Sequence, residues 1–329
     1  MASIHDVAKK AGVAISTVSK VLNGYPNISE DTKRKVNLAI DELGFVPNII
    51  ASSLSSKHRA RVAVLLDPKR NTQAIDQIFM QYLVGVLDRA KETDTDVVTL
   101  FFSMFEGKSS AEIIRDLRAQ SINGVIIFGL SKNDKTLKEV VDSEVFQCVV
   151  IDAPMISEKT SYVSIDHEKA QYDVAKKTVT EDDCKSVLYI AGRRDGYVTD
   201  WRIAGIKRLC EEMDLKMTMR YGDFSELASR NIVLKYSKNK DCVVCASDLM
   251  AIGAVNALID LDIFRPVCGF DGVTLMGYVG HQMNTVKQDF YNIGRKAVEE
   301  ILYLAGGGRG RYVEMPYSII KMYYKDIIC

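Results

Sequence analysis

Apolar side chains recur at helical spacing in three short segments near the start of the chain, with turn signals between them. Val7 and Ala8 belong to the apolar face of a first helix, which Gly12 can end because glycine tolerates positive φ. A second helix is predicted over residues 15–23, and a third begins at Ser29. Two short helices joined by a tight turn are typical of a helix-turn-helix, whose second helix enters the DNA major groove. The same spacing also fits a small three-helix packing unit with a solvated outer face.

From residue 61 onward, short apolar runs rich in β-branched residues alternate with amphipathic stretches. The runs predict strands at residues 61–66, 97–102, 124–128, 147–151, 186–191, 217–221, 242–246 and 267–270. The amphipathic stretches predict helices that include residues 75–93, 109–120, 199–213 and 248–262. This alternation favours parallel sheets covered by helices on both faces, and eight strands favour two doubly wound sheets. The glycine cluster at residues 306–310 follows a helix instead of preceding one, which argues against a nucleotide-binding glycine loop.

Charge is unevenly distributed along a chain that is neutral overall. Lys+Arg and Asp+Glu both number 43 among the 329 residues. Residues 1–61 carry nine basic and five acidic side chains, a net charge of +4, and the remainder carries −4. A mildly basic N-terminal segment on an acidic body suits contact with DNA phosphates at one end of the molecule.

The sequence offers no clear metal, redox or catalytic centre. Cys242 and Cys245 have C-x-x-C spacing, but in a strand residues three apart face opposite sides, so buried strand cysteines are favoured. The four histidines lack metal-ligand spacing, and no H-E-x-x-H, G-x-S-x-G or P-loop pattern occurs. We therefore expect no metal, no cofactor and no enzymatic activity. No apolar run approaches the ~18–20 residues of a membrane span, which favours a cytoplasmic protein without a membrane partner.

Four motifs follow one another in the first 54 residues. They are D-V-A-x-x-A-G-V from Asp6, T-V-S-K-V-L-N-G from Thr17, A-I-D-E-L-G-F-V-P-N from Ala39 and A-S-S-L from Ala51. In this order they closely resemble the DNA-binding headpiece and hinge of the LacI/GalR family of bacterial transcription regulators. Further matching motifs include residues 163–166, 201–205, 222–225, 246–253, 269–271 and 286–290, so that the resemblance extends over essentially the whole chain.

The resemblance implies an α/β protein with an all-α helix-turn-helix headpiece and a body similar to periplasmic sugar-binding proteins. The headpiece would span residues 1–46, the hinge helix or linker 47–60, and the effector-binding and dimerisation domain 61–329. Within that domain, two doubly wound parallel-sheet subdomains would comprise about 61–157 plus 290–314 and about 162–285 plus 317–329. Crossovers are expected near residues 157–162, 284–289 and 314–317.

On the DNA side, the resemblance implies that side chains at the start of the second helix read base edges. Ile15 offers only apolar contact, Ser16 can donate or accept, and Lys20 can donate to guanine. The phosphate contacts implied are Thr17, Ser19, Asn23 and Ser29.

The hinge is the second implied DNA contact. Residues 48–56 are too few for a stable isolated helix, and in the family this segment folds only on DNA. Leu54 and Ala51 fall where the family places the apolar wedge that enters the central minor-groove step.

On the ligand side, the resemblance implies six residues near the carboxyl ends of strands. They are Asp152, Arg202, Phe224, Ser247, Asp248 and Asp271. Carboxylates and a guanidinium suit hydrogen bonding to hydroxyls, and Phe224 offers a flat face for a sugar ring. Two alternatives remain open, namely a surface ion pair for Arg202 and a helix N-cap for Asp271. We expect Trp201 in the core, with Phe79 and Tyr82 as candidate cleft walls.

These features together predict a ligand-responsive repressor that binds double-stranded operator DNA as a homodimer. The expected effector is a small hydroxylated molecule, a sugar or sugar derivative. An alternative keeps the DNA-binding role but replaces the effector by a nucleobase or a phosphocarrier protein. Dimer contacts are expected from residues 248–262 and 275–283, and no leucine heptad follows the last predicted strand at 318–324, which favours a dimer over a tetramer.

Overall fold

Three N-terminal helices pack around a small apolar core of their own. The computed structural model describes residues 4–22, 28–43, 60–67, 73–279 and 282–321, and its first helices are α1 Ile4–Ala11, α2 Ile15–Leu22 and α3 Glu30–Leu43. Val7, Val18 and Val36 are fully buried in this core. Gly12 adopts φ 66° directly after α1, as expected of a residue that ends a helix. The tight turn that follows gives α1 and α2 the predicted helix-turn-helix arrangement.

The body contains two six-stranded sheets. The strands are β1 Arg61–Leu66, β2 Asp96–Phe101, β3 Gly124–Ile127, β4 Gln147–Ile151, β5 Thr160–Ser164, β6 Ser186–Ala191, β7 Lys216–Tyr221, β8 Cys242–Cys245, β9 Val267–Asp271, β10 Asn284–Gln288, β11 Tyr312–Glu314 and β12 Tyr317–Lys321. The first sheet has the order β11-β5-β4-β3-β1-β2 and is parallel throughout. The second has the order β12-β10-β9-β8-β6-β7, with β12 antiparallel to β10.

Helices cover both faces of each sheet, as the apolar strands require. They are α4 Gln73–Glu92, α5 Ser110–Ala119, α6 Lys135–Asp142, α7 His167–Glu181, α8 Tyr197–Glu212, α9 Glu226–Tyr236, α10 Asp248–Asp260 and α11 Phe290–Ala305. Along β1, Val62 and Val64 pack with α4 and α11 on one face, while Ala63 and Leu65 pack with α5 and α6 on the other. The second sheet packs with α7 to α10 in a single large core. We name the two sheets, each with its four helices, the first lobe and the second lobe.

The crossovers between the lobes differ in part from the prediction. Residues 160–164 form β5, which pairs with β4 and β11, because Val163 packs into the core of the first lobe. The first crossover therefore lies at residues 165–166. Residues 284–288 form β10 of the second sheet, so that the second crossover lies at Asp289, and the third joins β11 to β12.

Two further local features bear on the sequence analysis. Cys242 and Cys245 are fully buried in β8, which confirms that they are strand cysteines. The helix predicted over residues 275–283 is wrong in length, since the described residues there form a 3₁₀-helix at Thr274–Tyr278 and residues 282–283 are not helical. Within the described ranges, none of the helices combines the length and apolar character that a membrane span needs.

Candidate functional site

A cleft opens between the two lobes at the carboxyl ends of the parallel strands. Its space amounts to about 1100 Å³ with the open mouth included, enough for a small-molecule ligand. Asp152 follows β4, Phe224 follows β7, Ser247 follows β8 and Asp271 ends β9; all four line the cleft together with Arg202 of α8. Carboxyl ends of parallel strands meet at the same edge of a sheet, which brings these residues together although they are far apart in sequence.

Aromatic rings form the wall that the first lobe contributes. Phe79 and Tyr82 of α4 line the cleft together with Phe128 and Phe290. The Tyr82 ring lies 4.4 Å from that of Phe128 and 5.1 Å from that of Phe290, measured between centroids. Burial, together with the charges of Asp152 and Asp271, raises the pKa of Tyr82 well above its usual value, so its hydroxyl stays protonated. The wall therefore combines flat apolar faces with a hydroxyl group.

Arg202 is a buried cleft residue, which excludes the surface ion pair considered above. Only 4% of the residue is exposed, and its Nη1 donates to the Ala246 carbonyl at 2.5 Å. Its guanidinium lies 3.6 Å from the centroid of the Phe270 ring and 3.6 Å from the nearer oxygen of Asp271. Because these contacts fix the orientation of the guanidinium, the N–H groups of Arg202 that face the cleft are held in place for a ligand.

Asp271 ends a strand and caps no helix, which removes the second alternative. Its carboxylate accepts a hydrogen bond from Gln288 Nε2 at 3.1 Å. Burial raises the pKa of Asp271, and the charge of Arg202 opposes this rise. The carboxyl group thus lies ready to accept from, or when protonated to donate to, a ligand hydroxyl.

Asp248 does not line the cleft, in contrast to the expectation. It is fully buried in the first turn of α10, and its carboxylate accepts bonds from two backbone N–H groups of residues 272 and 273. The first turn of a helix directs this side chain toward the neighbouring strands of the sheet. Ser247 does line the cleft, although its hydroxyl also accepts from the Met250 N–H at 3.3 Å and caps α10.

His167, a residue that sequence reasoning missed, bridges the cleft residues Asp152 and Arg202. Its side chain is fully buried, with Nε2 2.9 Å from Asp152 Oδ1 and Nδ1 3.3 Å from Arg202 Nη2. Burial lowers the pKa of His167 despite the charge of Asp152. Burial raises the pKa of Asp152, but attraction to His167, with hydrogen bonds from His167 and Ser164, outweighs it and brings the pKa below its usual value. No local motif marks this histidine, since its partners lie 15 and 35 residues away.

The lobes also touch at the mouth of the cleft. Lys132 lies in the loop after β3, and Asp195 lies in the loop after β6. The backbone N–H of Lys132 donates to the backbone carbonyl of Asp195 at 2.8 Å. Asn133 Nδ2 donates to the Asp195 carboxylate at 3.3 Å, and the Lys132 ammonium pairs with Asp200. These contacts hold the two lobes together beside the cleft.

The exposed face of α2 carries the side chains expected to read DNA. Ile15 is 40% exposed, and Ser16 and Lys20 are exposed as well. Thr17 and Ser19 are half-buried at the same helix. A helix that buries Val18 and exposes this face can present it to a major groove.

Of the other implied DNA contacts, Ser29 alone lies within the described residues. Ser29 caps α3, since its hydroxyl accepts from the Thr32 N–H at 3.3 Å. Asn23, Ala51 and Leu54 lie outside the residues that the structure describes. The described residues hold no group of three or more His, Cys, Asp or Glu side chains placed to bind a metal ion.

The headpiece and the cleft define a DNA-binding transcriptional regulator with a periplasmic-binding-protein domain. A family model described as bacterial regulatory proteins, lacI family, matches residues 3–48, and one described as periplasmic binding protein domain matches residues 71–310. The HTH-type transcriptional regulator RegA of Clostridium saccharobutylicum is 30% identical over 314 residues, which cover 92% of each chain. The chain therefore belongs to the LacI family.

Solved structures share its fold. The Lac repressor bound to ONPG in its repressed state superimposes with a TM-score of 0.81 at 23% identity, covering 97% of this chain and 98% of that one. A complex of the transcriptional regulator CelR with cellobiose gives a TM-score of 0.67 at 23% identity, covering 98% of this chain and 99% of the other. The α/β architecture with a helix-turn-helix headpiece, as predicted from the sequence, is thereby confirmed.

Proposed function

We propose that this regulator is a homodimeric repressor whose operator affinity is set by an uncharged sugar or sugar derivative bound between the lobes. The observation that carries the proposal is the convergence of Asp152, Arg202 and Asp271 on one end of a cleft walled by aromatic rings. Carboxylates and a guanidinium form directional hydrogen bonds with vicinal hydroxyls, and aromatic faces pack against the C–H faces of a sugar ring. Arg202 and Asp271 would fix hydroxyls, and Phe224 would stack on the ring.

Backbone strain supports a binding role for the same residues. Asp152, Phe224 and Asp271 have φ values of 59°, 58° and 116°, which non-glycine residues rarely adopt. Such strain costs about 1–3 kcal/mol per residue and clusters at ligand sites, where it holds side chains in the binding geometry. Of the ten described non-glycine residues with positive φ, these three line the cleft.

The charges facing the cleft favour an uncharged ligand over a phosphorylated one. Among the described lining residues, four are aspartates (67, 152, 195 and 271) and two are arginines (193 and 202). Arg193 is paired with Asp195, and Arg202 with Asp271. A phosphate group would therefore meet excess negative charge and no unpaired arginine, whereas hydroxyls can accept and donate within these pairs.

Ligand binding would reach the DNA through the crossovers. Two sheets joined by three crossovers can rotate relative to each other without unfolding. A ligand that contacts both lobes favours one arrangement over the other, and its differential affinity sets the change in operator affinity. A coupling of about 1–3 kcal/mol corresponds to roughly 5–150-fold regulation.

The dimer is supported by apolar side chains that each lobe exposes. Met80, Val84 and Leu87 form one exposed stripe at helical spacing on α4. Leu227 on α9 and Ile259 on α10 are more than 60% exposed on the second lobe. An exposed apolar stripe such as that on α4 marks protein interfaces, and we propose that exposed apolar side chains of the second lobe contribute as well.

A thermal-shift panel of neutral sugars, sugar phosphates and purine bases tests the effector class. A neutral sugar at 100 times its Kd should stabilise the protein by about 2.7 kcal/mol. Arg202→Ala should abolish that stabilisation, while Arg208→Ala serves as matched control, because Arg208 lies on the same helix in an exposed ion pair with Glu168. Stabilisation by a purine or a sugar phosphate alone would contradict the proposed effector class.

A further inference from the structure

A continuous polar relay runs along the floor of the cleft from the first crossover to the second. Its members are Ser164, Asp152, His167, Arg202, Asp271 and Gln288. Ser164, the last residue of β5, donates to Asp152 at 2.6 Å. Gln288, the last residue of β10, donates to Asp271 at the other end. The relay thus begins and ends beside two of the three segments where the chain passes between the lobes.

The hydrogen bonds of His167 define which of its ring nitrogens carries the proton. A guanidinium can only donate, so Nδ1 of His167 accepts from Arg202, whose Nε and Nη2 lie at 3.4 and 3.3 Å. The proton therefore sits on Nε2, which donates to Asp152 Oδ1. Only a neutral imidazole can accept on one side and donate on the other.

Protonation of His167 would break this arrangement on one side only. A proton on Nδ1 would point at the Arg202 guanidinium, placing donor against donor and positive charge against positive charge. The charged groups that face the ring are Asp152 after β4, Asp166 just before α7 and Arg202 of α8. The rings of Trp201 and Phe270 cover it on the remaining sides, with centroids 5.9 and 5.6 Å away. Arg202 would then have to move away from the ring.

We propose that His167 is a positioning residue that holds Asp152 of the first lobe and Arg202 of the second in register only while its ring is neutral, so that protonation opens the relay at the hinge. This regulation rests on the proposed role of the cleft as the effector site. Since the relay consists of side chains of this protein alone, the test needs no effector. A failed sugar screen and a failed relay test are therefore distinct results.

Trp201 provides the readout, because it is the only tryptophan of the chain. Its ring is stacked on His167 with an angle of 5° between the planes. A protonated imidazole quenches excited indole by accepting an electron, and a neutral imidazole does so far less. The emission of the full-length protein should therefore fall on the acid side of about pH 6.5, the ordinary His value, and acrylamide should reach Trp201 more readily at pH 5.5 than at pH 7.5.

Two substitutions separate positioning from simple packing. In His167→Gln the amide can still accept from Arg202 and donate to Asp152 but cannot titrate, so the acid quench and the change in acrylamide access should be lost. Its thermal midpoint at pH 7.5 should stay close to that of the unchanged protein, whereas His167→Leu should lower it. His5→Gln, which removes an exposed histidine of α1, should keep the full acid response.

A variant away from position 167 keeps the proposal testable if substitutions of His167 prevent folding. Asp152→Asn removes the charge that favours imidazolium, so the acid midpoint of Trp201 emission should move to lower pH. A wild-type protein with constant emission from pH 8 to pH 5 would overturn the proposal. So would an acid quench that survives in His167→Gln, or a midpoint that Asp152→Asn leaves in place.

Discussion

The carboxylate of Asp248 accepts a hydrogen bond from the Thr285 hydroxyl at 2.5 Å, which ties the first turn of α10 to β10. The other carboxylate oxygen accepts from the N–H groups of Gly272 and Val273 at 2.7 and 2.8 Å. Burial and the nearby charge of Asp271 raise the pKa of Asp248 well above its usual value. The two bonds from Gly272 and Val273 hold the loop that follows Asp271 and so fix one wall of the cleft.

Asp248→Ala should destabilise the protein without acting directly on the ligand. Two buried donors and one half-buried donor would lose their acceptor, and we expect the free energy of unfolding to fall by about 2–4 kcal/mol in urea denaturation. Asp248→Asn is the matched control, since its amide oxygen can still accept from the two backbone N–H groups and its neutrality suits the buried site. A stable Asp248→Ala variant that has lost all ligand stabilisation would show that Asp248 contacts the ligand after all.

Gly192→Ala should close the cleft from behind Phe224. A Cβ at position 192 would lie 2.1 Å from Cζ of Phe224 and 2.6 Å from the Thr199 hydroxyl oxygen, so the ring must move. We expect the apparent affinity for the sugar found in the panel, as measured by its thermal shift, to fall at least tenfold. A tenfold loss corresponds to about 1.4 kcal/mol of binding free energy. Gly306→Ala, where the nearest atom is 3.4 Å away, should bind normally. Equal affinities for both variants would remove Phe224 from the ligand site.

Val84→Asp should separate the dimer. A carboxylate in the centre of the exposed α4 stripe would be buried without a partner if that stripe is an interface, and this is costly. Light scattering at micromolar concentration should give the mass of one chain for Val84→Asp and of two chains for the unchanged protein. Ile156→Asp, at an apolar residue that is 54% exposed outside the stripe, should remain dimeric. A dimeric Val84→Asp would place the interface elsewhere.

Lys20→Ala should weaken and relax operator recognition. An ammonium that donates to guanine contributes about 1–3 kcal/mol of discrimination at one base position. Binding to a library of duplexes, with each base pair varied in turn, should show the loss of preference at that position alone. Lys35→Ala, at an exposed lysine of α3 that is paired with Asp31, serves as control and should keep the sequence preference. A uniform loss across all sequences would make Lys20 a phosphate contact.

Most of the strands are predictable from the sequence, because most buried strands are apolar runs between turn signals. Strands β5, β10 and β11 are the exceptions. In β5, T-S-Y-V-S mixes polar and apolar residues. Its buried Ser161 and Ser164 are satisfied by Glu300 and Asp152, partners that come from other parts of the chain. A strand whose polar groups are paired only in the tertiary structure carries no local hydrophobic signal, and the first crossover was therefore placed too early.

The family resemblance implies the cleft residues, and most of them meet because they follow strands of the two sheets. Asp152, Phe224, Ser247 and Asp271 do so, and the structure brings them to one cleft with Arg202. Asp248 is only one residue away from Ser247, but the turn of the helix points it into the sheet. His167 required the packing of α7 against α8, because its role rests on Arg202 and on the stacked ring of Trp201.

Operator affinity measured with and without the most stabilising neutral sugar tests whether a ligand in the cleft controls DNA binding. The measurement compares the unchanged protein with Arg202→Ala on one selected operator duplex at fixed salt. We expect the sugar to change the Kd for the operator roughly 5–150-fold in the unchanged protein. In Arg202→Ala the same sugar concentration should leave the Kd unchanged, while the variant still binds the operator. A sugar that saturates the cleft yet leaves operator affinity unaltered in the unchanged protein would contradict the account, as would an undiminished response in Arg202→Ala.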